Sequence, residues 1–261
     1  MIKNPLLILC LFFLVGCATI YNPVIERNEF ILIDTKSEVS LGQSLSQQIA
    51  REFKISDDVQ LNSRLKKIGD RIARASDRQD LEYRFFVIED KELNAFAIPG
   101  GNVYVNSAIL KVANDDELAT VLSHEVGHIA ARHSVKKVQA ALGYQIVMSI
   151  AFSKASSADV GQALDVVFNI VSLGYSREDE RLADQLAIKY AYRAGFNPRG
   201  MITFLYKLEE EAKKQGATYH LIFLSSHPSL GERIKNMNKE IYDLEYLSAA
   251  QSNTPTSGEN S

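Results

Sequence analysis

Leu122-Ser123-His124-Glu125-Val126-Gly127-His128 is the stretch on which the reading of this chain turns. On an α-helix, residues four apart lie on one face, so the imidazoles of His124 and His128 can reach a single metal ion. Glu125 sits one step round from the first imidazole, placed to take a proton from water that zinc activates. That combination suits hydrolysis of an unreactive amide. The flanking residues support a helix: Asn114-Asp115-Asp116-Glu117 offers an N-cap with a carboxylate three residues on. No proline follows before about Val138, and His124, His128, Ala131 and Val135 continue one face with small or apolar residues. The spacing predicts one helix from Asn114 to about Val138 with the metal face buried. Gly127 weakens a helix by about 1 kcal/mol, which points to another element packing close beside it.

A hydrolytic zinc site takes a third protein ligand and keeps a fourth position open for water. His133 fails on position, because the pattern H-E-x-x-H-x-x-G-x-x-H needs Gly at 131 and His at 134, where this chain has Ala131 and Ser134. The acidic run Arg177-Glu178-Asp179-Glu180 opens a helix to about Ala194, and helical phase separates its carboxylates. Glu178 shares a face with Gln185 and Lys189, a solvated stripe. Asp179 points partly inward with Leu186 and Tyr190. Glu180 shares its face with Ala183, Asp184, Ala187 and Ala191, small residues that let another helix approach. Asp184, one turn beyond, can accept a hydrogen bond from a ligating imidazole and fix its tautomer. Glu180 is therefore the expected third ligand, with Asp184 behind the site.

Residues 93–101, 122–128 and 175–184, then Ser226-His227-Pro228 with Arg233-Ile234, occur in an order that resembles the HtpX-like and CAAX-prenyl-protease-like zinc metallopeptidases of the gluzincin type. The resemblance covers residues 38–244. It implies one zinc ion held by His124, His128 and Glu180, with Glu125 as general base. It adds Asp184 and His227 to the catalytic set, the first behind the ligands and the second near the zinc. His227 has two readings: a donor to the oxyanion, or a fourth ligand that keeps the enzyme latent. Low basal activity suits a protease among its potential substrates, which favours the latent role and leaves the oxyanion role open. The resemblance also implies a sheet beside the zinc helix whose edge binds extended substrate by β-augmentation, drawing on Ala95, Phe96, Ala97, Gly100 and Gly101. Fewer residues than one 34-residue repeat follow Arg233 before the polar tail. The chain thus looks like the short, soluble bacterial lipoproteins related to BepA-like periplasmic proteases.

At the N-terminus, Lys3 precedes an apolar run from Leu6 to Val15, too short for a spanning helix of about 20 residues. Leu14-Val15-Gly16-Cys17 resembles a bacterial lipobox. The expected organisation is a signal peptide at 1–16, a lipidated tether at 17–37, a zinc metallopeptidase domain at 38–247 and a disordered tail at 248–261. Cys10 would leave with the signal, so Cys17 needs a purpose other than an internal disulfide. Ala18 after the cysteine resembles the sorting pattern for the outer membrane of a Gram-negative bacterium, which places the domain in the periplasm.

The 261 residues suffice for one core, and a net charge of −3 without clustered Lys/Arg and aromatics excludes nucleic acid as a partner. Val39, Leu41, Leu45, Ile49 and Phe53 predict one amphipathic helix, and Leu61, Leu65, Ile68 and Ile72 a second. Residues 83–88, 95–98 and 103–105 read as strands. Residues 146–152 and 164–173 are apolar but interrupted, and are expected as core helices. The fold class is α+β: a mostly helical zincin-type domain with a small β-sheet beside the H-E-x-x-H helix. The expected function is zinc-dependent endopeptidase action on unfolded or misassembled envelope proteins. The alternative is a chaperone or assembly factor for outer-membrane proteins with little proteolysis. Oligomerisation stays open.

Overall fold

A three-stranded sheet lies between two sets of helices, and its side-chain alternation explains why. The strands are β3 (Arg84–Ile88), β4 (Ala95–Ile98) and β5 (Asn102–Asn106), ordered β3-β5-β4. β5 runs parallel to β3 and antiparallel to β4, with Phe86 opposite Tyr104 and Phe96 opposite the same tyrosine. Successive residues point to opposite faces. Val87, Ala95, Ala97, Val103 and Val105 therefore enter one core, while Ile88, Ile98 and Tyr104 enter another. On the second face Phe86, Tyr104 and Phe96 stack across all three strands, with centroids 5.0 and 5.2 Å apart. The computed structural model describes residues 19–143, 158–215, 227 and 230–252. The expected signal segment, Cys17, residues 146–152, Ser226, Pro228 and residues 253–261 lie outside these.

Helices α1 (Thr35–Glu52) and α2 (Val59–Ala75) start on Asp34 and Asp58, whose carboxylates accept from Ser37 and from Gln60 and Leu61. Leu65, Ile68 and Ile72 of α2 face the first core, and Leu41, Leu45 and Ile49 of α1 face the second. After β5 come α3 (Ser107–Val112), α4 (Asp115–Ala130) and α5 (His133–Leu142). The remainder is α6 (Ala158–Ser172), α7 (Arg177–Arg193), α8 (Gly200–Gln215) and α9 (Leu230–Ser252). Leu164, Val167 and Val171 of α6 are buried in the second core, as expected for that part of residues 164–173. The α+β expectation holds: helices predominate, and the small sheet packs against α4.

α4 begins on the expected capping box, Asn114 accepting from the Glu117 amide while Glu117 accepts from the Asn114 amide. Its far end departs from the sequence reading. The helix stops at Ala130, Arg132 adopts φ 57° and ψ 30°, and a separate helix starts at His133. A left-handed conformation costs a non-glycine residue about 1 kcal/mol or more. Arg132 is held there by Glu38, which accepts from its Nη1 at 3.0 Å, and by Thr35, which accepts from its Nη2 at 3.0 Å. Glu38 also takes a two-pronged contact from Arg78, at 2.7 and 3.0 Å, and all three charged groups are buried.

The stretch expected as a tether is folded from Thr19 onward. β1 (Thr19–Asn22) and β2 (Arg27–Phe30) form a hairpin, and Ile31 and Ile33 are buried in the second core. The Gln139 side chain accepts from the Leu32 amide, which ties this stretch to α5. At the other end, α9 extends to Ser252, past the expected start of the tail at 248. Among the described residues no helix is long and apolar enough to cross a membrane.

The buried Glu38 group yields a stability prediction. Glu38→Gln removes the buried counter-charge of Arg78 and Arg132 and leaves them only the half-exposed Asp80, and should lower the unfolding free energy by about 3 kcal/mol. Urea denaturation measures this, and a loss below about 1 kcal/mol would show that the network is incidental.

Candidate metal centre

Two helices build the centre, and a glycine sets their separation. At Gly127 an added Cβ would lie 3.1 Å from Leu186 Cβ and 3.2 Å from the Ala183 carbonyl oxygen of α7. Such contacts are tighter than most packed atoms make, so a side chain here would require the neighbours to shift, and glycine allows the close approach. It brings Glu180 of α7 against His124 and His128 of α4. His124 Nε2 is 3.1 Å from His128 Nε2, and the Glu180 oxygens lie 3.5 and 3.4 Å from these nitrogens. His227 closes the group, its Nδ1 3.2 Å from His124 Nε2 and 2.8 Å from Glu180 Oε1. All four residues are buried, and one donor atom from each falls within 4.8 Å of the rest.

This spacing fits a metal ion. Tetrahedral ligands about 2.1 Å from zinc lie about 3.4 Å from one another. Glu180 Oε2 and Glu125 Oε1 are buried without a hydrogen-bond partner among the described residues, a condition that buried carboxylate oxygens rarely tolerate unless something else satisfies them. Two imidazoles and a carboxylate with a further position are the donor set of hydrolytic zinc. The cluster suits one zinc ion.

The surroundings set the charge of each group. Burial works against a charged His124, yet the Asp184 and Glu180 carboxylates outweigh it and carry the imidazole up to about 9. Burial takes His128 down to about 3. Burial also opposes ionisation of Glu180, but His124, His128 and His227 hold it far below the usual carboxylate range. Glu125 is pushed up to about 8 by burial, although a hydrogen bond from the Ala97 backbone acts in the other direction. Zinc needs neutral imidazoles and an ionised carboxylate, so a proton leaves His124 as the metal enters.

Asp184 lies behind His124, its Oδ1 3.0 Å from Nδ1. Arg233 of α9 grips the same carboxylate with Nη2 at 2.7 Å and Nε at 2.9 Å, and donates to the His227 carbonyl at 3.2 Å. Grouped with the catalytic residues and expected behind the ligands, Asp184 lines a cavity with Glu180, Arg177, Arg181 and Arg233. Its contacts orient His124 and tie α9 to the centre.

A second cavity of about 210 Å³ opens on Glu125 and His227. Ala95, Phe96 and Ala97 of β4 form one wall, and Phe168 and Val171 of α6 another. β4 is an edge strand of its sheet. Gly100 and Gly101, expected to join it in binding substrate, are placed elsewhere. They make the β4–β5 turn at φ 85° and 96°, packed against Glu38 and Val39 and against Glu82, and do not line the cavity. Their backbone conformation and close packing account for the glycines.

Sequence reasoning assigned no role to Arg233 and Tyr175, although both stand in stretches that carry the family resemblance, and His133 was rejected as a ligand. Tyr175 stacks on the His128 ring, centroids 4.0 Å apart and planes 20° apart. The Tyr175-Ser176 stretch before the acidic run was the available signal for it. Arg233 stood in the Arg233-Ile234 stretch of the resemblance, but its partner Asp184, 49 residues away, could not be read from it.

A helix carrying H-E-x-x-H, a second helix supplying a glutamate and an edge strand beside them define a zincin-type metallopeptidase. The family model "Peptidase family M48" matches residues 59–241. The chain is 30% identical over 246 residues to the mitochondrial metalloendopeptidase OMA1 of Schizosaccharomyces pombe, covering 91% of this chain and 69% of that protein. The Saccharomyces cerevisiae OMA1 is 27% identical, covering 87% of this chain and 74% of its own length. The beta-barrel assembly-enhancing protease of Escherichia coli is 29% identical over 189 residues, covering 67% of this chain and 38% of that protein. The chain belongs to Peptidase family M48 and is a zinc metalloendopeptidase.

Proposed function

We propose that this endopeptidase works in the bacterial envelope, where it cleaves unfolded or misassembled proteins while anchored by a lipid on Cys17. The observation that carries the substrate class is the edge strand β4, which borders the cavity over Glu125. An edge strand pairs with the backbone of any extended segment, so it suits chains that have lost their fold more than one defined sequence. The similarity to a beta-barrel assembly-enhancing protease supports the envelope setting, and the lipobox-like Leu14-Val15-Gly16-Cys17 supports the anchor, with outer-membrane sorting read from Ala18.

His124, His128 and Glu180 hold the metal. Bound zinc supplies a Lewis acid that polarises water and the scissile carbonyl and, through its charge, returns the Glu125 carboxyl toward its ionised form. Glu125 takes the proton from the attacking water and delivers it to the leaving amine. This buried carboxylate lines the same cavity as Ala97 of β4, so the proposed substrate strand and the base stand side by side. Asp184 and Arg233 keep His124 oriented. With its Nδ1 inside the donor group and its carbonyl held by Arg233, His227 would serve as a fourth ligand to a bound zinc. It would then occupy the position that water needs and keep the enzyme latent.

Three outcomes test this account. Glu125→Gln should keep a full complement of zinc and lose at least about 100-fold in casein hydrolysis, whereas Glu180→Gln should lose the metal as well. Zinc-loaded Glu125→Gln cleaving at the wild-type rate would remove the base assignment. His227→Ala should raise hydrolysis severalfold in the same assay; a fall would assign His227 to the oxyanion instead. Cys17→Ser should move the protein from the membrane to the supernatant after fractionation, and a variant that resists a carbonate wash would place the anchor elsewhere.

A further inference from the structure

We propose that His133 is a positioning residue that fixes His128 as a metal ligand, through a relay from Asp179 to His133 to His128. The proposal rests on the zinc-site reading above. On a continuous helix His133, five residues past His128, would lie about 140° round the axis and face away from it. The break at Arg132 reverses this. With α5 starting afresh at His133, the two Nδ1 atoms come within 2.8 Å, and His133 Nε2 lies 3.2 Å from Asp179 Oδ1. Both imidazoles are buried.

One proton assignment satisfies every link. His128 presents Nε2 to the donor group as a lone pair, so its proton sits on Nδ1 and points at His133. His133 must then accept at Nδ1, which leaves its own proton on Nε2, facing Asp179. The second oxygen of Asp179 accepts from the Ser176 hydroxyl at 2.8 Å and the Ser176 amide at 3.3 Å, so the capping box of α7 holds the end of the relay. Tyr175, stacked on His128, restricts rotation of that ring. Each histidine ligand is thus backed by a carboxylate, His124 directly by Asp184 and His128 through an intervening imidazole. The strained conformation of Arg132, held by Glu38 and Thr35, is what turns His133 back. Strain that the surroundings hold in place is a mark of a constrained site.

Outer partners of metal-bound histidines typically set metal affinity by about 10–100-fold. The test is zinc affinity of the full chain, measured by competition with a chromophoric chelator, together with the visible absorption of the cobalt-substituted protein. His133→Phe keeps a buried ring but removes both nitrogens, and should weaken zinc binding by about 10–100-fold and shift the cobalt bands. His133→Asn places an amide oxygen near the Nδ1 position and should recover part of the loss, which a purely structural role would not give. Asp179→Asn, half-buried and still able to cap α7, should show a smaller loss in the same direction and covers the case in which His133→Phe fails to fold. Wild-type affinity and an unchanged cobalt spectrum in both His133→Phe and Asp179→Asn would overturn the relay. A wild-type chain that binds no zinc would overturn the metal reading itself, and the relay with it.

Discussion

The close approach of α4 and α7 at Gly127 is the constraint on which the centre depends. Any side chain there would meet Leu186 and the Ala183 carbonyl, and the two helices would have to give by a few tenths of an ångström. Glu180 would then withdraw from His124 and His128, because it is carried on the same helix as Ala183. Small residues on α7 complete the fit: Ala183, Ala187 and Ala191 are all buried. The result is a set of carboxylates and imidazoles almost wholly removed from water. Isolated charges in such a place cost several kcal/mol each. The arrangement offsets this by pairing both buried carboxylates of α7 with a cation or imidazole: Glu180 with three histidines, and Asp184 with Arg233 and His124.

The rest of the molecule holds α4 in register. Its N-terminus is fixed by the Asn114–Glu117 capping box, and Glu117 also accepts from Lys207 and Thr203 of α8. Its C-terminus is fixed by Arg132 on Glu38. The sheet lies along its flank, with Ala97 of β4 lining the same cavity as Glu125. A site whose ligands stand on a helix held at both ends is positioned more finely than one on loops. The same rigidity gives the edge strand a fixed relation to Glu125, so that under the proposed function a peptide laid along β4 would meet Glu125 at one register.

Much of this was legible because it is local. The 3.6-residue period put His124 and His128 on one face and separated Glu180 from Glu178. The capping box was readable from four consecutive residues, and the alternation in residues 83–105 gave the strands. What the chain concealed are features decided by distant partners. Arg132 breaks the helix without a glycine or proline, because Glu38, 94 residues away, holds it in a left-handed conformation. His133 was set aside because it does not fit the H-E-x-x-H-x-x-G-x-x-H spacing, and the break is what brings it to His128. Gly100 and Gly101 looked like part of the substrate edge, but their partners on α1 and at Glu82 make them turn residues. The hairpin at 19–30 was read as tether because its strands are short and polar, and its attachment through Ile31 and Ile33 is tertiary.

The central claim is that α4 and α7 assemble one zinc site from His124, His128 and Glu180. Anomalous diffraction from crystals of the proteolytically competent protein, collected on either side of the zinc edge, tests it most directly. The account predicts a single peak about 2.1 Å from Nε2 of both histidines and from a Glu180 oxygen. A protein that cleaves casein with no peak at this position, or with its zinc bound elsewhere, would contradict it.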